Sequence, residues 1–188
     1  MKDLSLHLMD IMQNSVAADA TYVEVGISTD IDINLLTLYV EDDGRGMSEE
    51  TVKRVSDPFY TTRTTRKAGL GIPLFKAAAE LAGGTLDICS KEGQGTRITA
   101  TFEINNIDRK PLGNVPETLT MSIMSYPDME FHLILKNGKS EYIFKTEEIR
   151  EQIGELPIND IEVTGYIGDM LAEQIKIIFG GILHEITG

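Results

Sequence analysis

Apolar residues at the start of the chain recur at helical spacing. Leu4, Leu8, Ile11, Met12 and Val16 form one stripe, which predicts a helix over residues 3–18. His7, Asp10 and Asn14 stand at i, i+3 and i+7 and share a different, polar face. The pattern then shifts to alternation. Residues 22–28 and 35–41 read as strands joined by a polar stretch over 29–34. The second strand runs into Asp42-Asp43-Gly44-Arg45-Gly46-Met47. Glycines there permit positive φ and close approach of the backbone to a ligand, and a carboxylate at the strand end can accept hydrogen bonds from an amino group. Asp-Gly is equally a common hairpin signal, so this stretch alone leaves a surface turn and a ligand site both open. Ser48 fits an N-cap, with Glu49 and Glu50 in the first turn of a short helix to about residue 55.

Residues 57–68 lose all periodicity and read as a loop. Gly69-Leu70-Gly71-Ile72 then opens a helix to about residue 82, with Pro73 in its first turn and Gly83-Gly84 as the stop. A glycine-rich helix start leaves N–H groups and the positive dipole end free for phosphate. Residues 85–90 and 96–104 read as strands around the turn Glu92-Gly93-Gln94-Gly95, and 105–116 reads as a linker. Beyond it, 118–125, 130–136 and 140–145 are expected to be strands, with Asn137-Gly138 as a hairpin turn between the last two. Helices are expected over 146–153 and 167–179.

Charge narrows the partners. The chain has 188 residues, 17 Lys+Arg against 30 Asp+Glu, and a net charge of −13. That argues against a nucleic-acid or anionic-membrane partner. Residues 53–67 invert the sign, with five basic residues to one acidic, so a basic, hydroxyl-rich loop sits inside an acidic protein. It suits either polyanion handling or plain solubility. Residues 111–188 carry 5 positive and 13 negative residues and no chemical constellation; His132 and His184 lack partners at ligand spacing. The single cysteine, Cys89, supports neither a disulfide nor a zinc site. No apolar run is long enough to span a bilayer, and Met1-Lys2-Asp3-Leu4 opens no signal peptide, so a reducing, cytoplasmic setting is expected.

Taken together and in order, these stretches resemble the GHKL ATPase superfamily, which includes histidine-kinase catalytic domains, anti-sigma-factor kinases, gyrase, mismatch-repair ATPases and heat-shock chaperones. The helix Leu8 to Thr21 resembles the motif with an essential asparagine. Asp42, Gly44 and Gly46 match Asp-x-Gly-x-Gly. Asp57-Pro58-Phe59 resembles the phenylalanine motif, Gly69-Leu70-Gly71 the second glycine motif, and Gly93, Gly95 and Thr96 the closing Gly-x-Gly-Thr. The resemblance covers residues 4–104. It implies an α/β (α+β) sandwich of the Bergerat type, a mixed sheet with helices on one face and ATP between helices and lid. The expected organisation is an ATP-binding domain over 1–108 and a small α+β region of unknown role over 109–188.

Carried over by residue, the resemblance implies that the side-chain oxygen of Asn14 ligates Mg²⁺ and that Asp42 accepts from the adenine amino group. Gly44 and Gly46 would make room for the base, and Thr96 would lie near it. Gly69, Leu70 and Gly71 would present backbone N–H groups to the phosphates; from the basic loop, Arg63, Arg66 or Lys67 is expected to meet phosphate, with Lys67 alternatively only stiffening the lid. Lys67 stands where the family often has another glycine. Asp10 stands where several branches have a glutamate acting as general base, one methylene longer. No phosphoacceptor histidine segment precedes the first helix, which suggests a stand-alone protein kinase of histidine-kinase or anti-sigma type acting on a separate protein. The alternative is an ATP-dependent switch or binding module with slow hydrolysis. His7 is expected either on the ligand side of the first helix or packed in the core.

Overall fold

The computed structural model describes residues 1–55, 70–180 and 182. In chain order the elements are α1 (Leu4–Ala17), β1 (Tyr22–Asp30), β2 (Leu35–Asp42), α2 (Glu49–Val55), α3 (Gly71–Leu81), β3 (Leu86–Lys91), β4 (Gly95–Glu103), α4 (Val115–Ser125), β5 (Glu130–Asn137), β6 (Ser140–Lys145), α5 (Thr146–Ile153) and α6 (Ile161–Phe179). The strands form one six-stranded mixed sheet in the order β3-β4-β2-β1-β5-β6. All neighbours are antiparallel except β1 and β5, which run parallel with Val25 opposite Leu133.

The period-two alternation decides which face is covered. Val23, Val25, Ile27, Leu36, Leu38, Val40, Ile98, Ala100, Phe102, Phe131, Leu133 and Leu135 are all buried. They join the buried faces of α1, α3, α4 and α6 in one core cluster. The alternate positions Glu24, Tyr39, Glu41, Arg97 and His132 lie half-buried on the opposite, polar face. The expected layering, helices on one face of a mixed sheet, is what the chain adopts. Asp3 caps α1, accepting from Leu6 N at 3.1 Å.

Residues 109–188 do not stand apart from this frame. Their strand β5 pairs with β1 from Tyr22 to Thr29, and their core residues belong to the same cluster as those of residues 1–108. The N–H groups of Leu4 and Ser5 donate to the carbonyls of Pro111 and Leu112, so the expected linker is fastened to the start of α1.

One element differs in type from its sequence pattern. Residues 118–125 alternate Thr-Leu-Thr-Met-Ser-Ile, which suggests a strand, yet they lie in α4. Asn114 caps this helix, accepting from Glu117 N at 3.1 Å, and Pro116 occupies its first turn. The buried apolar residues are Val115, Leu119 and Ile123 at i, i+4 and i+8, whereas Met121 is 51% exposed. Burial thus follows the helical period. Similarly, α6 starts at Ile161 rather than near 167, because Asp160 caps it through the N–H groups of Glu162 and Val163.

Candidate functional site

The site is assembled at the end of β2. Asp42 is its last residue, buried to 8% exposure. Ser15 Oγ donates to Asp42 Oδ2 at 2.7 Å, and Gly44 N donates to Asp42 Oδ1 at 3.0 Å. Each oxygen then keeps a lone pair, so the carboxylate is oriented and can still accept from a ligand amino group. Thr96 faces Asp42 directly across the β2–β4 ladder. Thr96 Oγ1 lies 2.8 Å from Ser90 Oγ, and Ser90 Oγ in turn accepts from Met47 N at 2.8 Å. The turn after Asp42 is therefore bolted to β3.

The glycines of this turn are demanded by the protein's own packing. Gly46 has φ +65°, and a Cβ there would lie 2.0 Å from the carbonyl oxygen of Lys91. A Cβ on Gly44 would meet the carbonyl oxygen of Ala18 at 2.8 Å. Next door, Asp43 accepts from Thr21 N (2.8 Å), Thr21 Oγ1 (2.6 Å) and Tyr22 N (2.9 Å). Burial pushes its carboxyl up, but these bonds outweigh burial and hold it below the usual carboxylate range. Sequence reading missed Ser15, Ser90 and Asp43. Ser15 had a detectable signal, a small polar residue at i+4 from Ile11 on the buried side of α1.

The other half of the site is the start of α3. Gly71 opens that helix against Asp10 of α1, where a Cβ on Gly71 would lie 3.2 Å from Asp10 Cβ and 3.3 Å from its Oδ2. Leu70 precedes it as the N-cap, with no side-chain cap bond. A carboxylate beside a helix N-terminus is electrostatically favoured. One helix thus links both halves, since Asp10 and Ser15 are separated by about 7–8 Å along α1 at 1.5 Å per residue. Asn14, half-buried, lies between them, one turn from Asp10. Its amide oxygen is a hard donor of the kind Mg²⁺ takes. Arg63, Arg66, Lys67, Gly69 and Asp57-Pro58-Phe59 lie outside the described residues.

His7 is packed. It is fully buried and stacks on Phe75 of α3, with ring centroids 5.1 Å apart. Its Nε2 lies 3.4 Å from Lys110 Nζ. Burial, then the Lys110 and N-terminal charges, lower its pKa to about 4 against the opposing pull of Asp3, so the ring is neutral at pH 7. Among the described residues, no helix is long and apolar enough to cross a membrane.

A family model described as "Histidine kinase-, DNA gyrase B-, and HSP90-like ATPase" matches residues 2–106. The chain is 32% identical over 95 residues to a heme sensor protein of Staphylococcus saprophyticus, covering 50% of this chain and 21% of that one. It is 30% identical over 100 residues to a sensor histidine kinase of Bacillus subtilis, covering 51% of this chain and 17% of that one. It therefore spans about a fifth of the length of these relatives. The N-terminal domain of a DNA repair protein shares the fold, with TM-score 0.50 and 13% identity over 76% of this chain and 52% of that one.

Proposed function

The chain belongs to the family of histidine kinase-, DNA gyrase B- and HSP90-like ATPases, and from that premise we propose that it binds ATP with Mg²⁺ and transfers the γ-phosphate to a partner protein. The observation that carries this reading is the double role of α1. Ser15 holds the Asp42 carboxylate at one end, and Asp10 lies against the first residue of α3 at the other. Asp42 would accept from the adenine amino group, with Thr96 across the ladder beside it. The N–H groups at the start of α3, together with those of Gly69 and Leu70, would face the phosphates. Arg63 and Lys67 would add positive charge.

Mg²⁺ would be held by the Asn14 side-chain oxygen and would neutralise phosphate charge when bound. Phosphoryl transfer depends mostly on positioning and charge neutralisation. Asp10 would accept a proton from the attacking hydroxyl. The test is incubation with γ-labelled ATP, Mg²⁺ and an extract of the source cell. Label should move to another protein with the wild-type chain and not with Asn14→Ala. ATP binding without any transferred label would overturn the kinase reading.

A second reading, an ATP-dependent switch, has one observation in its favour. The helix α4 packs on α1, the helix that carries Asp10, Asn14 and Ser15. Nucleotide could then change how residues 109–188 meet a partner without transfer.

A further inference from the structure

On the sheet face away from the helices we infer a second site, for a divalent transition-metal cation of the Zn²⁺ type, with His132, Glu147 and Glu130 as its ligands. Glu130 and His132 stand at i and i+2 on β5 and so share one face. The first turn of α5 brings Glu147 to them. One ligand atom from each residue lies within 4.8 Å of the other two. A tetrahedral ion with bonds of about 2.1 Å needs donors about 3.4 Å apart, so the three groups would close from separations of up to 4.8 Å when the ion binds.

The imidazole supplies the strongest argument. Its Nδ1 lies 3.2 Å from Tyr22 Oη, and that phenol gives its own proton to Glu24 Oε2 at 2.7 Å. The phenol oxygen is therefore the acceptor and Nδ1–H the donor. That tautomer leaves a bare lone pair on Nε2. Nε2 is buried and finds no hydrogen-bond partner among the described residues. A ligating histidine characteristically gives its second N–H to a group anchored by a carboxylate, which is the Tyr22–Glu24 pair here. Glu24 is itself fixed by Tyr39 Oη at 2.7 Å, and Arg97 covers the Tyr39 ring at 3.7 Å.

Two cations already touch the carboxylates, and they behave differently. Arg150 pairs with Glu130 and also donates to the carbonyls of Pro127 and Met129, each at 2.9 Å, so it is locked in place. With Thr146 Oγ1 and Glu147 N also donating to Glu130, that carboxylate is oriented and retains one lone pair. Lys145 sits 3.6 Å from Glu147 in a looser pair, and an incoming ion would displace it. An imidazole with two carboxylates suits zinc, cobalt or nickel rather than magnesium or calcium. The site therefore differs in kind from the one at Asn14.

Titration of the nucleotide-free full-length chain with Zn²⁺ by calorimetry, and with Co²⁺ by visible absorption, tests this. One ion per chain should bind. His132→Ala should abolish binding, Tyr22→Phe should weaken it about 10–100-fold, and Lys145→Gln should tighten it. Should His132→Ala lose its circular dichroism, Glu147→Gln, a change at an exposed side chain, carries the test with a weakening of about 10-fold or more. Absence of saturable binding would overturn the site. So would equal affinity in wild type, His132→Ala and Glu147→Gln, or loss of binding in Asn14→Ala alone.

Discussion

Ser15 Oγ donates to Asp42 Oδ2 across 2.7 Å, so a hydroxyl of the first helix aims the carboxylate that ends the second strand. Both groups are buried, at 1% and 8% exposure. A carboxylate held this way keeps one geometry, and a ligand must present a donor where that geometry points.

Nucleotide choice follows from that geometry. If Asp42 reads the base as proposed, adenine would offer it an amino group, whereas guanine would offer a carbonyl oxygen at the same place. Two facing acceptors leave both unpaired, at a cost of about 1–3 kcal/mol. Competition titrations should therefore show ATP binding at least about 5-fold more tightly than GTP. Equal affinities would remove Asp42 from the base site.

Ser15→Ala removes a hydrogen bond to a charged group, worth about 1.5–3 kcal/mol. Part of that loss should appear in stability and part in ATP affinity, because the carboxylate is then free to rotate. A fall in Tm of several degrees, together with about 10-fold weaker ATP binding, is expected from thermal melts and titration. Unchanged values in both would show that Gly44 N alone positions Asp42.

The parts of this arrangement that could be read in advance are those in which a local rule matches the tertiary one. The Asp42-Asp43-Gly44-Arg45-Gly46 turn is legible because Gly46 needs φ +65° and a close approach to Lys91, and only glycine meets both. The N-terminal strands are legible because their alternation is the burial pattern. The α4 helix is not, because Thr118, Thr120 and Ser122 interleave the apolar residues and imitate a strand. Their hydroxyls are satisfied within the helix, Ser122 Oγ bonding the Thr118 carbonyl at 3.0 Å and Thr120 Oγ1 the Pro116 carbonyl at 2.9 Å. The parallel pairing of β5 with β1 joins positions over a hundred residues apart, and no local period encodes it. Ser15 shows its buried side of α1 in the local pattern, but its pairing with Asp42, 27 residues away, does not.

The metal prediction concerns Asn14. Asn14→Ala removes the one side-chain oxygen assigned to Mg²⁺, while its half-buried position carries little core packing. The variant should fold, as judged by far-ultraviolet circular dichroism, and lose the Mg²⁺ dependence of ATP binding or turnover. Mg²⁺ dependence equal to wild type would return Asn14 to the status of a polar position on the helix.

His7 sets a pH limit on stability. Its folded pKa is about 4, whereas the ordinary histidine value is 6.5. Between these values the unfolded chain binds a proton that the folded chain does not. Stability therefore falls as pH drops from about 6.5 towards 4, by up to about 3 kcal/mol for this residue, and falls no further below that window on its account. His7→Phe keeps a ring against Phe75 and removes the titration. Urea unfolding at pH 7, 5.5 and 4.5 should show a smaller loss of stability for the variant than for wild type. Parallel pH profiles would show that His7 is not the group that titrates.

The enzyme reading depends most on Asp10. Its carboxylate lies against Gly71 at the start of α3, the helix end assigned to phosphate, and one turn from Asn14. A nucleophile approaching the terminal phosphate would pass near it, and a carboxylate there can take the proton of a water or a serine hydroxyl. Such a base contributes about 10²–10⁴-fold. Asp10→Asn preserves the size and the contact with Gly71 and removes the basicity. It should leave ATP affinity nearly unchanged while lowering transfer or turnover by at least about 100-fold. Asp10→Glu extends the reach by one methylene beside Gly71, whose missing Cβ, if added, would lie 3.2 Å from Asp10 Cβ. Its rate therefore reports whether reach or space limits the base. A neutral imidazole acceptor carries its own lone pair and needs no base, so a near-wild-type rate for Asp10→Asn at saturating ATP and Mg²⁺ would remove Asp10 from the catalytic machinery and point to histidine as the acceptor.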